Sequence, residues 1–153
     1  MGSVALVQLT AFTDLGLRIV MRLAVLDDEQ AATTRALAEE LNVPATHAAK
    51  VVTQLGRLGV VDARRGRGGG LRLAPGARTV SVGFLARALE GDGEVVECEG
   101  AHPCPLRGGC RLRTALARAR EAFFAALDPV TLADVAAPPT RELLLHIGAR
   151  PPG

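Results

Sequence analysis

Three cysteines stand at equal spacing in one segment, EVVECEGAHPCPLRGGC, and their thiols are the groups of this chain with the clearest chemistry. Cys98, Cys104 and Cys110 form a C-x5-C-x5-C pattern among glycines and prolines. Thiolates that converge on one point bind iron–sulfur clusters, and a Gly/Pro-rich loop lets the chain wrap around such a group. Three thiolates leave a four-iron cluster one ligand short. A carboxylate, a histidine, a small molecule or a residue of another chain would have to supply the fourth ligand.

Two other thiol chemistries stay open for the same segment. Structural zinc sites typically take their ligands in pairs roughly two to four residues apart, and the cysteines form no such pair. His102 beside Cys104 nevertheless keeps a zinc site of three cysteines and one histidine as an alternative. A redox switch made of free thiols is the second alternative. The C-x2-C spacing of ferredoxins is absent, which argues against a simple electron carrier.

The odd number of cysteines also bears on the compartment. It argues against a closed disulfide framework. No apolar run approaches the roughly 20 residues of a membrane span, and the N-terminus lacks the charged region of a signal peptide. We therefore expect a cytoplasmic protein with reduced thiols and no membrane partner.

Charge along the 153-residue chain is arranged in blocks. The net charge of +2 is too small to indicate a nucleic-acid ligand. Residues 57–72, however, contain five arginines and one acid, and residues 90–99 contain five acids and no base. This arrangement predicts one surface that binds phosphates and another that avoids them.

The elements that must position these groups are predicted to be mainly helical. Hydrophobic residues make up 48% of the chain and aromatic residues only 3%, so the core is built from Leu, Val, Ile and Ala. Alanine and leucine are strong helix formers. Apolar periodicity and capping residues predict helices over Thr10 or Thr13 to about Leu26, Thr33 or Thr34 to Leu41, Ala45 to Leu58, Thr79 or Ser81 to Glu90, Arg111 to Leu127, and Thr131 to Val135.

The second and third predicted helices, followed by a glycine-rich hairpin over Val60–Leu73, match the plan of a winged helix-turn-helix. In that plan the third helix enters the DNA major groove and the hairpin, or wing, contacts the adjacent backbone or minor groove. A protein-interaction winged helix with a solvated arginine loop is the alternative. The predicted DNA-contacting residues are Thr33, Thr46, His47, Lys50, Thr53, Arg64, Arg65 and Arg67.

The predicted organisation has four parts. Residues 9–78 form the winged helix-turn-helix domain, and residues 79–110 a linking helix and the cysteine loop. Residues 111–137 form a long dimerisation helix with a cap, and residues 138–153 a Pro-rich tail. Met1–Leu9 is interpreted as a short extension.

Taken together, these segments resemble the NsrR group of regulators, within the superfamily that also contains the cluster-biogenesis regulator IscR. The resemblance extends from Leu9 to about Val135. It rests on LTAFTDLGLRIVMRLAV in the first helix, on the third helix with its RGRGGG wing, and on C-x5-C-x5-C before a long helix.

The resemblance implies a homodimeric transcriptional repressor that binds a palindromic operator, carries one 4Fe–4S cluster per subunit and senses nitric oxide. It implies that Cys98, Cys104 and Cys110 bind iron and that the fourth ligand is Asp14 of the partner subunit, with Arg18 and Arg113 beside the site. From the residues alone, Asp14 is equally well explained by the helix dipole and by an i,i+4 pair with Arg18.

One position separates this chain from the IscR type, which carries a histidine ligand three residues after its last cysteine. Here that position is Arg113, which stays protonated and cannot bind iron. The departure argues against an IscR-like 2Fe–2S site. It leaves the fourth ligand to Asp14, or to His102 if the analogy fails.

The expected mechanism is a two-state switch in which the intact cluster braces the loop against the partner's first helix. This bracing would hold the two recognition helices about one DNA turn (~34 Å) apart. Nitric oxide would release the loop, and operator occupancy would fall from about 99% to about 1% if the affinity dropped about 10⁴-fold. Two rivals stay open: an IscR-like 2Fe–2S regulator of cluster biogenesis, and a zinc-stabilised interaction module. An enzyme is not expected, because the chain has no evident catalytic triad, nucleotide loop or paired-carboxylate cleft.

Overall fold

The computed structural model describes residues 8–149, which are mainly helical with one small sheet. The fold class predicted from the sequence is therefore confirmed. The elements in chain order are α1 (Ala11–Ala24), α2 (Thr34–Glu40), α3 (Ala45–Arg57), β1 (Val61–Arg64), β2 (Gly70–Leu73), a 3-10 turn (Ala77–Thr79), α4 (Val82–Glu90), α5 (Arg111–Leu127), α6 (Leu132–Val135) and α7 (Thr140–Gly148).

Hydroxyl side chains cap several of these helices where the sequence predicted them to begin. Thr10 accepts a hydrogen bond from the Thr13 N–H at the start of α1, and Thr33 accepts one from the Ala36 N–H at the start of α2. Ser81 caps α4 in the same way. These bonds satisfy amides that have no partner within the helix, and each cap typically stabilises a helix by about 1 kcal/mol.

The wing is a two-stranded antiparallel hairpin in which Val61 pairs with Leu73 and Arg64 with Gly70. A bridge between Ala32 and Leu71 joins the hairpin to the segment before α2. Its two backbone hydrogen bonds are 3.0 and 2.6 Å long. The winged helix-turn-helix is thus a single packed unit.

The main core lies around α1, whose inner face is fully covered. Leu15, Ile19 and Leu23 are at most 3% exposed and pack against residues of α2, α3, α4 and α6. Gly16 allows this close approach, because a Cβ there would lie 2.5 Å from a Leu89 methyl group. The core therefore connects the winged helix-turn-helix to α4, which leads into the cysteine loop.

Helix α5 differs from the others because most of its surface is exposed. Of its 17 residues only Phe124 is buried, between the guanidinium groups of Arg87 and Arg120 at 5.5 and 4.8 Å from the ring centre. Leu112 and Phe123 are 64% and 45% exposed. An apolar face of this length, uncovered within one chain, is what a dimerisation helix requires, and that role stays a prediction.

Helix α7 was not predicted. It lies in the segment 138–153 that the sequence analysis assigned to a tail, and its Leu144 is buried with Ala24, Val25 and Ala136 in a second, smaller cluster. The physical reason is that α7 has a short apolar stretch after two prolines, and its helical state depends on packing against α1. Within residues 8–149 no helix is long and apolar enough to cross a membrane. The rest of the predicted extension and tail, residues 1–7 and 150–153, lies outside the described residues.

Candidate functional site

The cysteine loop, residues 91–110, connects α4 to α5 through a series of turns. The Cys104 N–H donates to the Cys98 carbonyl (3.0 Å), and the Arg107 N–H donates to the Cys104 carbonyl (3.2 Å). These bonds fold the loop back on itself, so that cysteines twelve residues apart in sequence belong to one short stretch of compact backbone.

All three cysteines are free thiols, in different environments. Cys98 is buried, whereas Cys104 and Cys110 are partly exposed. Burial raises the pKa of the Cys98 thiol, and the charge of Arg113 opposes that rise. Cys110 caps α5, its sulfur accepting a hydrogen bond from the Arg113 N–H (3.4 Å). The thiolate is the form of cysteine that binds metal.

The loop does not hold a preformed metal cage. Among the described residues no three His, Cys, Asp or Glu side chains are grouped closely enough to hold a metal ion. The donor set itself fits an iron–sulfur cluster or zinc, because three unoxidised thiols share one loop and one of them sits at a helix N-terminus. Metal binding is commonly coupled to folding of the segment that supplies the ligands. Binding would therefore require the loop to close around the group.

Ion pairs fasten the cysteine loop to α5. The Arg113 guanidinium contacts Glu94 (2.7 Å) and Glu99 (3.2 Å), and Arg107 contacts Glu99 (3.6 Å). The hydrogen bonds that Arg113 donates to Glu94 and Glu99 raise its already high pKa, and the bond to Glu94 has the larger effect. The Arg113 side chain therefore stays charged. Arg120 also donates to the Gly91 carbonyl. Arg113, which was predicted to lie beside the cysteines, therefore binds two acidic residues of the cysteine loop, Glu94 and Glu99.

Asp14 lies in the first turn of α1 and is about half exposed, with Arg18 as its partner. Both carboxylate oxygens are engaged, Oδ1 by the Arg18 Nε (3.0 Å) and Oδ2 by Nη2 (2.8 Å). The i,i+4 pair expected from the residues alone is therefore present. The structure of one chain does not bring Asp14 into a metal-binding group with its own cysteines. That Asp14 binds the cluster of the partner subunit stays a prediction.

A contact that the sequence analysis missed ties the start of the cysteine loop to α1. Glu90, the last residue of α4, accepts hydrogen bonds from the Thr10 N–H (3.1 Å), the Thr10 hydroxyl (3.0 Å) and the Thr13 hydroxyl (2.5 Å). About 80 residues separate the partners, so no local pattern could indicate the contact. As a result, the helix turn that carries Asp14 is joined directly to the segment that leads into the cysteines.

The candidate DNA face of α3 is exposed and carries the expected polar residues. Thr46, Lys50 and Thr53 are exposed at i, i+4 and i+7, so they lie along one face of the helix. The Thr53 hydroxyl also donates to the Ala49 carbonyl (2.9 Å). His47 is only partly exposed, because its ring lies 6.4 Å from that of Phe12 in α1. His47 therefore takes part in packing, and its contact with a base stays a prediction.

The wing tip presents Arg64, Arg65 and Arg67 to solvent. Within the part of the chain that the structure describes, neither they nor Lys50 forms an ion pair with an acidic side chain. Their charges are thus available to phosphates. Thr33, also predicted as a DNA contact, is exposed but uses its hydroxyl to cap α2.

Comparisons with known proteins agree with this arrangement. Residues 9–138 match the family described as "Rrf2: Iron-dependent Transcriptional regulator". The chain is 60% identical over 147 residues to the HTH-type transcriptional repressor NsrR of Streptomyces coelicolor, an alignment that covers 95% of this chain and 99% of the relative. It is 40% identical over 130 residues to the HTH-type transcriptional regulator NsrR of Geobacillus kaustophilus, with 84% and 88% covered.

Solved structures share the same fold. CymR, described as the global cysteine regulator of B. subtilis, superposes with a TM-score of 0.65 at 27% identity, and the match covers 86% of this chain and 97% of that one. The IscR of T. potens superposes with a TM-score of 0.65 at 22% identity, and 88% of each chain is covered. At that level of identity the second likeness concerns the fold alone.

Proposed function

The chain belongs to the Rrf2 family of transcriptional regulators, and from this premise we propose that it is a homodimeric repressor whose operator binding depends on a 4Fe–4S cluster that reacts with nitric oxide. The observation that carries the proposal is the joining of two sites in one rigid core. A loop with three free thiols is held against α5 by ion pairs, and the same core presents an exposed basic helix and wing. The similarity to two repressors or regulators named NsrR supports the same function.

For DNA recognition, α3 would lie in the major groove with Thr46, Lys50 and Thr53 towards the bases and phosphates. The exposed arginines of the wing would contact the flanking backbone or a narrow minor groove, where guanidinium groups bind well. Each arginine that neutralises a phosphate steepens the dependence of binding on salt. In a two-fold dimer these contacts are repeated, which calls for a palindromic operator with half-sites about 34 Å apart.

For the cluster, Cys98, Cys104 and Cys110 would supply three ligands and Asp14 of the partner subunit the fourth. When bound, the cluster supplies an iron centre that nitric oxide can attack. The chain's own residues prepare this site. Cys98 is shielded from solvent, and Arg113 holds Glu94 and Glu99 so that their charges do not oppose the binding of an anionic group. Arg18 contacts both oxygens of Asp14 on α1, so iron would share this carboxylate with the Arg18 guanidinium.

For the dimer, the exposed side of α5 is the proposed contact surface. Leu112, Leu116 and Phe123 follow one another at helical spacing and are exposed or partly exposed in the single chain. Apolar surface contributes roughly 25 cal/mol per Å² when it is buried. The proposal requires that a second copy of the chain on this face bring the partner's first helix towards the cysteine loop.

For the switch, contacts within each chain would transmit the state of the loop. Glu90 bonds to Thr10 and Thr13 at the loop's start, and α1 packs on α3 through the main core. A rearranged loop would therefore strain the first turn of α1. To change occupancy from about 99% to about 1%, the operator affinity must fall about 10⁴-fold, which corresponds to about 5.5 kcal/mol. The proposal assigns this change to the loss of the ligand that would join the two subunits.

The first test is anaerobic purification followed by a visible spectrum and by iron and sulfide analysis. The proposal expects a brown protein with about four irons per chain, and loss of operator binding when nitric oxide is added. Two irons per chain would favour the IscR-like alternative. A colourless protein loaded with zinc would refute the cluster proposal.

The partner's ligand is tested separately. Asp14→Ala should lower the stability of the cluster and change the response to nitric oxide. Glu29→Ala, which removes an exposed carboxylate elsewhere, is the matched control and should change neither. If the two variants behave alike, the fourth ligand is not Asp14.

A further inference from the structure

The tip of the wing has little internal support. Gly66 and Gly68 adopt positive φ angles of 89° and 69°, and the turn is closed by a hydrogen bond from the Gly69 N–H to the Gly66 carbonyl (2.9 Å). Two-stranded hairpins are marginally stable in water without further packing. The tip therefore needs an external contact if it is to present its arginines in one geometry.

Arg72 of β2 makes such a contact. Its Nη2 donates to the Gly68 carbonyl in the tip (3.2 Å), and its Nη1 donates to the Asp28 carbonyl in the turn after α1 (3.1 Å). The Nε of the same side chain is buried and has no hydrogen-bond partner among the described residues. Arg72 pairs in register with Asp62 on β1, yet its guanidinium engages carbonyl groups instead. A planar guanidinium suits two acceptors at once, which a lysine ammonium would hold less rigidly.

The base of the wing is held by close backbone contacts to the segment before α2. Leu71 forms two backbone hydrogen bonds with Ala32. Gly70 lies so close to this segment that a Cβ there would approach the Ala31 side chain and the Ala32 carbonyl to 2.9 Å. The base is thus anchored by backbone, while Arg72 extends the attachment to Gly68 at the tip.

We propose that Arg72 is a positioning residue for the wing: it braces the tip against the turn after α1 so that Arg64, Arg65 and Arg67 are presented to DNA, and it does not itself contact phosphate. Two observations distinguish it from its neighbours. Both Nη groups of Arg72 have acceptors within the protein, whereas the three tip arginines are exposed and have no acidic partner among the described residues. Its DNA role rests on the proposed function, but the brace itself does not.

The brace is tested without DNA by limited trypsin digestion of the full-length protein, with the cleavage sites identified by mass spectrometry. Trypsin cuts after arginine, so the rate of cleavage at the tip arginines measures how readily the wing tip opens. Arg72→Met should raise the rate of cleavage after residues 64, 65 and 67 about tenfold, because two charge-assisted hydrogen bonds are lost. Arg35→Met is the matched control, because it also removes one trypsin site and an exposed side-chain contact, the bond from the Arg35 Nε to Glu39 (3.0 Å), away from the tip and from the turn after α1.

The result decides between a local brace and a general effect. Faster cleavage at the tip in Arg72→Met alone, with an unchanged melting temperature, supports the proposal. An unchanged rate, or an equal rise in both variants, overturns it.

A double-mutant cycle tests the consequence for DNA. If Arg72 braces the wing, Arg67→Ala should weaken DNA binding less in the Arg72→Met background than in the wild type. If Arg72 instead binds a phosphate, the two effects should add, and each should reduce the slope of log affinity against log salt by about 0.9. If the protein binds no DNA at all, the proposed function fails, but the trypsin experiment still tests whether Arg72 braces the wing tip.

Discussion

The buried ion pair between α1 and α2 offers a sharp test of how the helix-turn-helix is held together. Arg22 and Glu40 have only 8% and 16% of their side chains exposed. The Arg22 Nε lies 2.8 Å from one carboxylate oxygen of Glu40, and Nη2 lies 3.5 Å from the other. Gly148 of α7 packs directly on the same guanidinium, where a Cβ would collide with it. Glu40→Gln keeps the shape of the side chain but leaves a buried cation without its counter-charge.

The expected cost is large for a single substitution. Removing one member of a buried pair typically destabilises a protein by about 3–5 kcal/mol, since the remaining charge is neither hydrated nor neutralised. Native domains are stable by only about 5–15 kcal/mol. At roughly 2–4 °C per kcal/mol for a chain of this size, the melting temperature should fall by about 6–20 °C.

The assay is chemical and thermal unfolding followed by circular dichroism, with Glu39→Gln as the matched control. Glu39 is the neighbouring residue of the same helix, and its ion pair with Arg35 is exposed. Such pairs contribute at most about 1 kcal/mol. If both glutamine variants lose the same stability, the burial argument is refuted. The double variant Arg22→Met/Glu40→Leu should recover much of the loss, because it removes both charges.

Three further outcomes are expected. Asp134 accepts hydrogen bonds from the backbone N–H and hydroxyl of Thr131, which lower its pKa in the folded protein. These bonds therefore stabilise the protein above pH about 4, the pKa of an unfolded chain, and this stabilisation is lost as the pH falls through the pKa of the folded state. Unfolding measured between about pH 5 and pH 2 should show a steeper loss in the wild type than in Asp134→Asn. Glu90→Gln removes the charge that caps α1 and should destabilise the protein by about 1 kcal/mol, with faster hydrogen exchange in the first turn of α1; unchanged exchange there would contradict the role assigned to Glu90. Gly83→Ala should cost about 1–3 kcal/mol, because a Cβ at Gly83 would lie 2.7 Å from the Asp128 nitrogen and 2.8 Å from the Phe124 carbonyl, whereas Gly93→Ala meets nothing and should be neutral in the same unfolding assay.

Much of the fold was predictable from local patterns. The bounds of α1, α3 and α5 agree with the prediction to within two residues, since apolar periodicity and capping residues are properties of short segments. The recognition of the family is confirmed by the 60% identity to a named repressor and by the family match. Residue type and spacing singled out the cysteines and the wing arginines, whereas Asp14 was proposed as a ligand only from the resemblance to the NsrR group. The roles of all these residues stay predictions.

Contacts between distant residues were not predictable in the same way. The bonds of Glu90 to Thr10, of Arg22 to Glu40 and of Arg72 to Asp28 join residues 80, 18 and 44 positions apart. Nothing in the local sequence distinguishes these charged residues from solvated ones. Helix α7 was missed for a related reason, because its stability comes from burial of Leu144 against α1 and not from its own short segment.

The amino-acid order therefore specified the helices other than α7, the wing and the group of three thiols, because each depends on residue types within a few positions of one another. Packing specified which charged side chains bind other groups of the protein and which are exposed to solvent. Arg72, Arg113 and Arg64 look alike along the chain, yet the fold turns the first towards two carbonyls, the second towards two carboxylates and the third towards solvent. A charge has a role only once its neighbours and its exposure to water are set, and both are consequences of how distant segments meet.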